Sequence, residues 1–85
     1  MISYKGGNGF TQQEAIIILG AINESEGVDA EYDYLDSKYG EYELVSQVFI
    51  GDANKQYDFL RIRLPDDTEK ELWFDITDFY GKEDL

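Results

Sequence analysis

The stretch that decides the fold is Asn23–Gly40, with the sequence NESEGVDAEYDYLDSKYG. Asn23 and Glu26 have the spacing of a capping box, in which two side chains accept hydrogen bonds from backbone amides at a helix start. Gly40 readily takes the left-handed conformation in which many helices end. The stretch therefore predicts a helix that begins after Asn23 and stops at Gly40.

The predicted helix carries two stripes of different chemistry. Apolar side chains spaced three and four residues apart form the stripe expected to face the core. They are Val28, Tyr32, Leu35 and Tyr39. A second stripe, turned by roughly a third of a circle, is acidic. It consists of Glu26, Asp29, Asp33 and Asp36.

Four segments have the composition of β-strands. They are 15–21, 42–50, 56–64 and 70–76. A turn at 11–14 is predicted before the first of them, although Thr11 and Glu14 leave a helical start open for 11–22. The order β-α-β-β-β predicts an α+β fold of two layers, with one helix packed on a mainly antiparallel four-stranded sheet.

The last three strands alternate in their side chains, so even-numbered residues are expected on one face of the sheet throughout. Register must keep these apolar residues together, which predicts a three-residue loop at 66–68 in the last hairpin. This loop would place Arg63 opposite Glu71. It would also place Arg61 opposite Trp73, in a cation–π contact.

The length and composition predict one folded domain over 1–85, with a Gly-rich N-terminal loop at 1–10 and a frayed tail at 82–85. Apolar residues make up 42% of the chain and aromatic residues 15%, which argues against disorder despite a net charge of −12. The chain has no cysteine, no signal-peptide pattern and no apolar run long enough to cross a bilayer. A cytoplasmic protein is therefore predicted.

The residue types argue against catalysis. The chain has neither histidine nor cysteine, so the most common general base and the soft nucleophile are missing. Its acidic residues show no EF-hand spacing, so neither a metal nor another cofactor is predicted. Gly6, Gly7 and Gly9 suggest a phosphate loop, but no strand and no Lys-Ser/Thr pair is predicted around them. We expect a non-enzyme.

Two surfaces are candidates for binding a partner. The acidic stripe of the helix is one, although a charged stripe is more often simply a solvated face. The other is a group of aromatic side chains with an arginine on the sheet face away from the helix, a composition typical of interface hot spots. It consists of Tyr57, Phe59, Arg61 and Trp73. Residues 1–14 or the C-terminal aromatics could instead cover this face, or a second copy could do so.

Four stretches together resemble a group of small, uncharacterised bacterial proteins that have a Gly-Gly-Asp-Gly start, an Ala-Ile-Ile strand and an aromatic-Asp-Ile-Thr end. The stretches are Gly6–Gly9, Glu14–Ile18, Gly27–Tyr32 and Phe74–Lys82. The resemblance covers nearly the whole chain and implies an intact bacterial domain, with no established activity. Asn8 stands where the group has aspartate, which weakens any interpretation of that loop as a charged site.

The charge balance selects the class of partner. The 19 acidic residues outnumber 7 basic ones, so nucleic acid and anionic membranes should be repelled. The sequence therefore predicts a non-catalytic protein-interaction module that binds a basic partner. The alternative is a small-ligand or metal-binding domain that uses the Gly-rich N-terminal loop.

Overall fold

The computed structural model describes residues 1–83, which form a single helix and five strands. The elements are β1 (Ser3–Gly6), β2 (Ile16–Leu19), α1 (Glu24–Tyr39), β3 (Glu43–Asp52), β4 (Lys55–Arg63) and β5 (Glu69–Asp75). The strands form one sheet in the order β1-β2-β5-β4-β3. Strands β2 and β5 are parallel, and every other neighbouring pair is antiparallel. The predicted α+β class, with one helix on a mainly antiparallel sheet, is confirmed.

The sheet has five strands and not the four predicted. The additional strand, β1, lies inside the segment that the sequence predicted as a loop at 1–10, and it pairs with β2. Four residues are too few to show an alternating pattern, and the glycines beside them point to a loop. The turn at 11–14 is confirmed, because the Thr11 side chain accepts a hydrogen bond from the Glu14 amide at 3.2 Å.

Helix α1 begins and ends where the sequence indicates. The side chain of Asn23 accepts a hydrogen bond from the Glu26 amide at 2.8 Å, and the Glu26 carboxylate accepts one from the Ile22 amide at 3.3 Å. At the other end Gly40 has a φ of 70° and donates its amide to the Asp36 carbonyl. The helix is therefore closed at both ends by the residues that predicted it.

Replacement of Asn23 by alanine should lower the free energy of unfolding by about 1 kcal/mol, because the Glu26 amide loses its partner. Urea denaturation of Asn23→Ala beside the wild type measures this. Asn23→Asp is the matched control, since aspartate also caps helices and should leave stability nearly unchanged. Equal losses in both variants would contradict a capping role.

The buried face of α1 is displaced by one residue from the predicted apolar stripe. The helix residues that are fully buried are Gly27, Ala30, Glu31 and Leu35. Of the predicted stripe, Leu35 is among them, whereas Val28, Tyr32 and Tyr39 are half-buried, and both tyrosines pack against the core. The reason for the displacement lies at Gly27, where the ring of Phe79 occupies the space that a Cβ would need. The helix thus approaches Phe79 closely at a residue without a side chain.

The register of β4 with β5 differs from the prediction. Arg61 lies opposite Glu71, and Phe59 opposite Trp73. The loop is 65–67, one residue earlier than expected, and is closed by the Leu64 amide bonded to the Thr68 carbonyl at 2.8 Å. Pro65 has no amide to donate to the β4–β5 ladder, so it lies in the loop and not in a strand. Asp67, with a φ of 70°, lies in the loop in both registers.

Strand β3 contains a β-bulge that the alternating pattern did not reveal. The register shifts between Leu44 and Ser46, so the bulge falls at Val45. Beyond it, odd-numbered residues face the helix, with Gln47 opposite Leu60. The prediction that even-numbered residues share one face throughout is therefore wrong for the second part of β3.

The core lies between α1 and the sheet. Its largest fully buried side chains come from α1, β2, β4, β5 and the segment after β5. They include Ile16, Ile18, Leu60, Ile62, Leu72, Phe74 and Phe79. Tyr80 stacks on Phe49 with ring centroids 4.9 Å apart. The Lys82 amide donates to the Phe79 carbonyl at 3.0 Å. Fraying at 82–85 stays a prediction, and the last two residues of this tail lie outside the described part.

Candidate functional site

The acidic stripe, which we call the acidic ridge (Glu26, Asp29, Asp33 and Asp36), lies mostly in solvent. Asp29, Asp33 and Asp36 are exposed. Glu26 is half-buried because its carboxylate caps the start of the helix. The structure thus divides the predicted set into three exposed carboxylates and one that has a structural role.

No ion pair within residues 1–83 involves the acidic ridge. The ion pairs that are present join Lys55, Arg61 and Arg63 to acidic residues of β3 and β5. The shortest, between Arg63 and Glu43, measures 2.9 Å. The cations of β4 are thus paired with carboxylates of the sheet. The carboxylates of the acidic ridge have no ion-pair partner in the described chain.

Asp36 also affects its neighbour Tyr42 at the start of β3. Burial is the main cause that raises the pKa of the Tyr42 hydroxyl to about 12, followed by its hydrogen bond to Asp36 and the charge of that carboxylate. The end of the acidic ridge that Asp36 forms therefore lies beside the start of β3.

A shallow groove of about 690 Å³ continues the ridge at this end of the molecule. It lies between the end of α1, the start of β3 and the 65–67 loop. Acidic side chains and one arginine line it around a partly apolar floor; among the lining residues are Asp36, Glu41, Glu43, Arg63, Leu64, Pro65 and Asp67. The sequence did not predict this groove, because its walls come from three separate segments.

The second predicted surface, the sheet-face cluster (Tyr57, Phe59, Arg61 and Trp73), is assembled as expected on the face away from the helix. The ring of Trp73 lies 4.7 Å from that of Phe59 and 5.8 Å from that of Tyr57, centroid to centroid. Arg61 does not lie opposite Trp73, because the register differs, and it binds Glu71 at 3.1 Å. The cluster is therefore aromatic packing beside an ion pair.

Part of this face is covered by the connection between β1 and β2. The Trp73 amide donates to the Gly9 carbonyl at 2.6 Å, and Gln12 donates to Asp52 at the tip of the β3–β4 hairpin at 2.6 Å. Tyr57 retains only 8% of its exposure. The suggested cover by residues 1–14 thus applies to part of the face, whereas the C-terminal ring of Phe79 packs on the helix side.

The Gly-rich loop uses its amides inside the protein. Gly7 donates to the Ala15 carbonyl at 3.4 Å, and Gly9 donates to the Glu14 carbonyl at 2.6 Å. The Phe10 amide donates to the Asn8 side chain at 2.9 Å. The loop therefore offers few free donors to an anion. Within residues 1–83 no three metal-ligating side chains converge.

Sequence reasoning missed a pair of carboxyl groups in the core, which we call the buried acid pair (Glu31 and Asp58). Glu31 is 1% exposed and Asp58 is 7% exposed. The signals were present, because Glu31 is four residues from both Gly27 and Leu35 on the buried helix face. Asp58 likewise alternates with Leu60 and Ile62 on the apolar side of β4.

The surroundings of the buried acid pair favour a protonated Glu31. No N–H or O–H donor of the described chain reaches either oxygen of its carboxyl group. Burial, then a hydrogen bond to Asp58, then the charge of Asp58 raise the pKa of Glu31 to about 10. At neutral pH the Glu31 carboxyl therefore donates its proton to Asp58. Both groups are buried and neither lines the groove described above, so the pair is expected to affect stability.

Comparison of the chain with protein-family models, with curated proteins and with solved structures found no match. The assignment of a function therefore depends on the residues described above. Among residues 1–83 there is no helix with the length and apolar content to span a bilayer.

Proposed function

We propose that this protein is a non-catalytic interaction module that binds a basic protein through the acidic ridge. The observation that supports the proposal is the contrast in charge compensation. Cations of β4 are paired with carboxylates of the sheet, whereas Asp29, Asp33 and Asp36 remain exposed and outside any ion pair of the described chain. Exposed, uncompensated charge of one sign attracts partners of the opposite sign.

The ridge is favoured over the sheet-face cluster as the binding surface. The charge of Arg61 is already met by Glu71, and Tyr57 is buried beneath its neighbours. A hot spot needs accessible anchor side chains, and Arg61 and Tyr57 offer little accessible, unpaired surface to a partner. The groove beyond Asp36 contains Arg63 paired with Glu43, and it adds the carboxylates of Glu41 and Asp67 to the ridge, so a basic side chain could lie along both.

The proposal also concerns where the protein works. We infer a bacterial cytoplasmic protein from the resemblance described above and from the absence of cysteine in the chain. A basic partner in that compartment would associate rapidly at low salt, because opposite charges accelerate encounter.

Neutralising two carboxylates of the ridge should weaken binding to the basic partner roughly tenfold. The partner is captured from host lysate on the immobilised protein and identified by mass spectrometry. Its affinity for Asp29→Asn/Asp33→Asn is then compared with that for the wild type at low and at high salt. The loss should shrink as salt rises, since exposed charges are screened.

The matched control is Glu14→Gln/Asp66→Asn, which changes the net charge equally at exposed positions outside the helix and the groove lining. It should bind almost as tightly as the wild type. If both double variants lose the same affinity, binding depends on net charge and not on the ridge. If no basic protein is captured at either salt concentration, the proposed function is wrong.

A further inference from the structure

Strand β3 forms one edge of the sheet and is the longest strand, with 10 residues and a neighbour on one side only. No charged residue occurs between Glu43 and Asp52, although 31% of the whole chain is charged. Val48 and Phe49 are 48% and 47% exposed, one on each face of the strand. The edge is therefore long, uncharged at its centre and accessible from both faces.

Edges of this kind are usually protected. Natural proteins place lysine, proline or a covering loop on an exposed edge, because its unpaired amides and carbonyls pair with other strands. The protection of β3 is restricted to the bulge at Val45 and the acidic residues at its two ends. An accessible, apolar edge is the structure that proteins use when they bind a peptide as an added strand.

The Asp36 end of the acidic ridge lies near this edge. The Tyr32 hydroxyl of α1 contacts the side-chain oxygen of Gln47 in the middle of β3 at 3.3 Å. Asp36, one helical turn further along, lines the groove together with Tyr42 and Glu43 at the start of the strand. One end of a segment added to β3 would therefore lie near Asp36 and the groove.

We propose that an extended segment of the basic partner adds to β3 as a sixth strand. The segment has alternating apolar side chains at its centre and lysine or arginine near its ends. Its apolar residues pack against Val48 and Ile50 on one face, its other central side chains lie beside Phe49 on the opposite face, and its cations meet Asp36 or Asp52. This inference rests on the proposed function, since it names how that partner is held.

The charges favour this occupant over a second copy of the chain. An antiparallel pair of β3 strands would bring the acidic end residue Glu43 of one copy towards Asp52 of the other. Each copy would also add a net charge of −12 to the complex. A cationic segment meets the same acidic ends with attraction, at no cost in like-charge repulsion.

The test uses a synthetic ten-residue peptide with alternating valine and threonine at its centre and two lysines at each end. It should bind the wild-type protein, and hydrogen exchange should show new protection at alternate amides of β3. A second peptide has the same sequence with N-methyl groups on alternate backbone amides. It keeps every charge and loses ladder donors, so it should bind at least roughly tenfold more weakly.

A variant of the protein tests the same edge from the other side. Val48→Lys places a charge in the apolar centre of β3 and should weaken binding of the unmodified peptide roughly tenfold. The control is Ile22→Lys, which makes the same change of charge at an apolar residue that is 72% exposed and outside the sheet. It should have little effect.

The outcomes separate the two proposals. Equal binding of both peptides, or equal affinity of both lysine variants, would show charge attraction without strand addition and would overturn this inference alone. If the protein does not bind the unmodified peptide while the acidic ridge still captures the lysate partner, this inference alone is overturned. A wild-type dimer that Val48→Lys converts to a monomer assigns the edge to a second copy and also overturns it. Failure to capture any basic protein overturns the proposed function itself.

Discussion

Replacement of Glu31 by glutamine is expected to raise the free energy of unfolding by about 2 kcal/mol at pH 7 and to leave it almost unchanged near pH 4. Glu31 is buried, and its carboxyl oxygens meet no donor of the described chain. Its pKa is raised from an ordinary 4.5 to about 10. Glutamine has nearly the shape of protonated glutamate and can donate its amide to Asp58 without binding a proton first.

The sign of the pH dependence follows from these two pKa values. The folded chain holds the Glu31 proton more tightly than the unfolded chain does. The stability that this proton contributes is therefore complete below about pH 4.5 and is lost as the pH rises towards about 10. The slope is at most about 1.4 kcal/mol per pH unit. Urea denaturation between pH 4 and pH 9 measures it, and Glu31→Gln should flatten the profile.

Two further variants separate this effect from general repulsion in an acidic protein. Glu14→Gln removes one exposed carboxylate, so its pH profile should run parallel to that of the wild type. Asp58→Asn removes the hydrogen-bond partner and the charge but not the burial, which is the largest cause of the shift. The decline in stability should therefore keep its slope and end at a lower pH. Parallel profiles for the wild type and Glu31→Gln would contradict a protonated Glu31.

The second large effect is expected at Gly27, where alanine should lower the free energy of unfolding by about 1–3 kcal/mol. Alanine is ordinarily favoured over glycine inside a helix by about 1 kcal/mol. At this position the added methyl group would overlap the ring of Phe79, which is 1% exposed and has no room to withdraw. The steric cost should outweigh the gain in helix propensity.

Ser37→Ala is the control for helix propensity, because Ser37 is exposed on the same helix. It should raise the stability slightly, by no more than roughly 0.5 kcal/mol. In a Phe79→Leu background the smaller side chain should reduce the cost of Gly27→Ala, which a double-mutant cycle measures. A Gly27→Ala protein that is as stable as Ser37→Ala would show that the helix does not rest on Phe79.

The sequence predicted the helix and most strands better than it predicted how they pack and pair. Asn23 and Gly40 determine the ends of α1 through local hydrogen bonds, so the pattern of a few residues was enough. The buried face of α1 depends on Phe79, a residue far along the chain, and was displaced by one position. The bulge at Val45 inverted the faces of β3, and nothing in a row of apolar residues indicates such a bulge.

The candidate site shows the same division. The acidic ridge could be predicted because its residues lie on one helix, and the sheet-face cluster because alternation along two strands brings it together. The buried acid pair was missed, since acidic residues are so common in this chain that Glu31 attracted no separate attention. The groove beside Asp36 joins three segments, and no local pattern marks it.

The aromatic chromophores of the protein are divided between the two faces of the sheet. Trp73, the single tryptophan of the chain, packs with Phe59 and Tyr57 on the face away from α1. Tyr34 packs on Phe74 and Tyr4 on the helix side. Tryptophan fluorescence therefore monitors one layer, and near-ultraviolet dichroism of the tyrosines mainly the other. Superimposed transitions from the two signals would mean that the layers melt as a single cooperative unit, without any label attached to the protein.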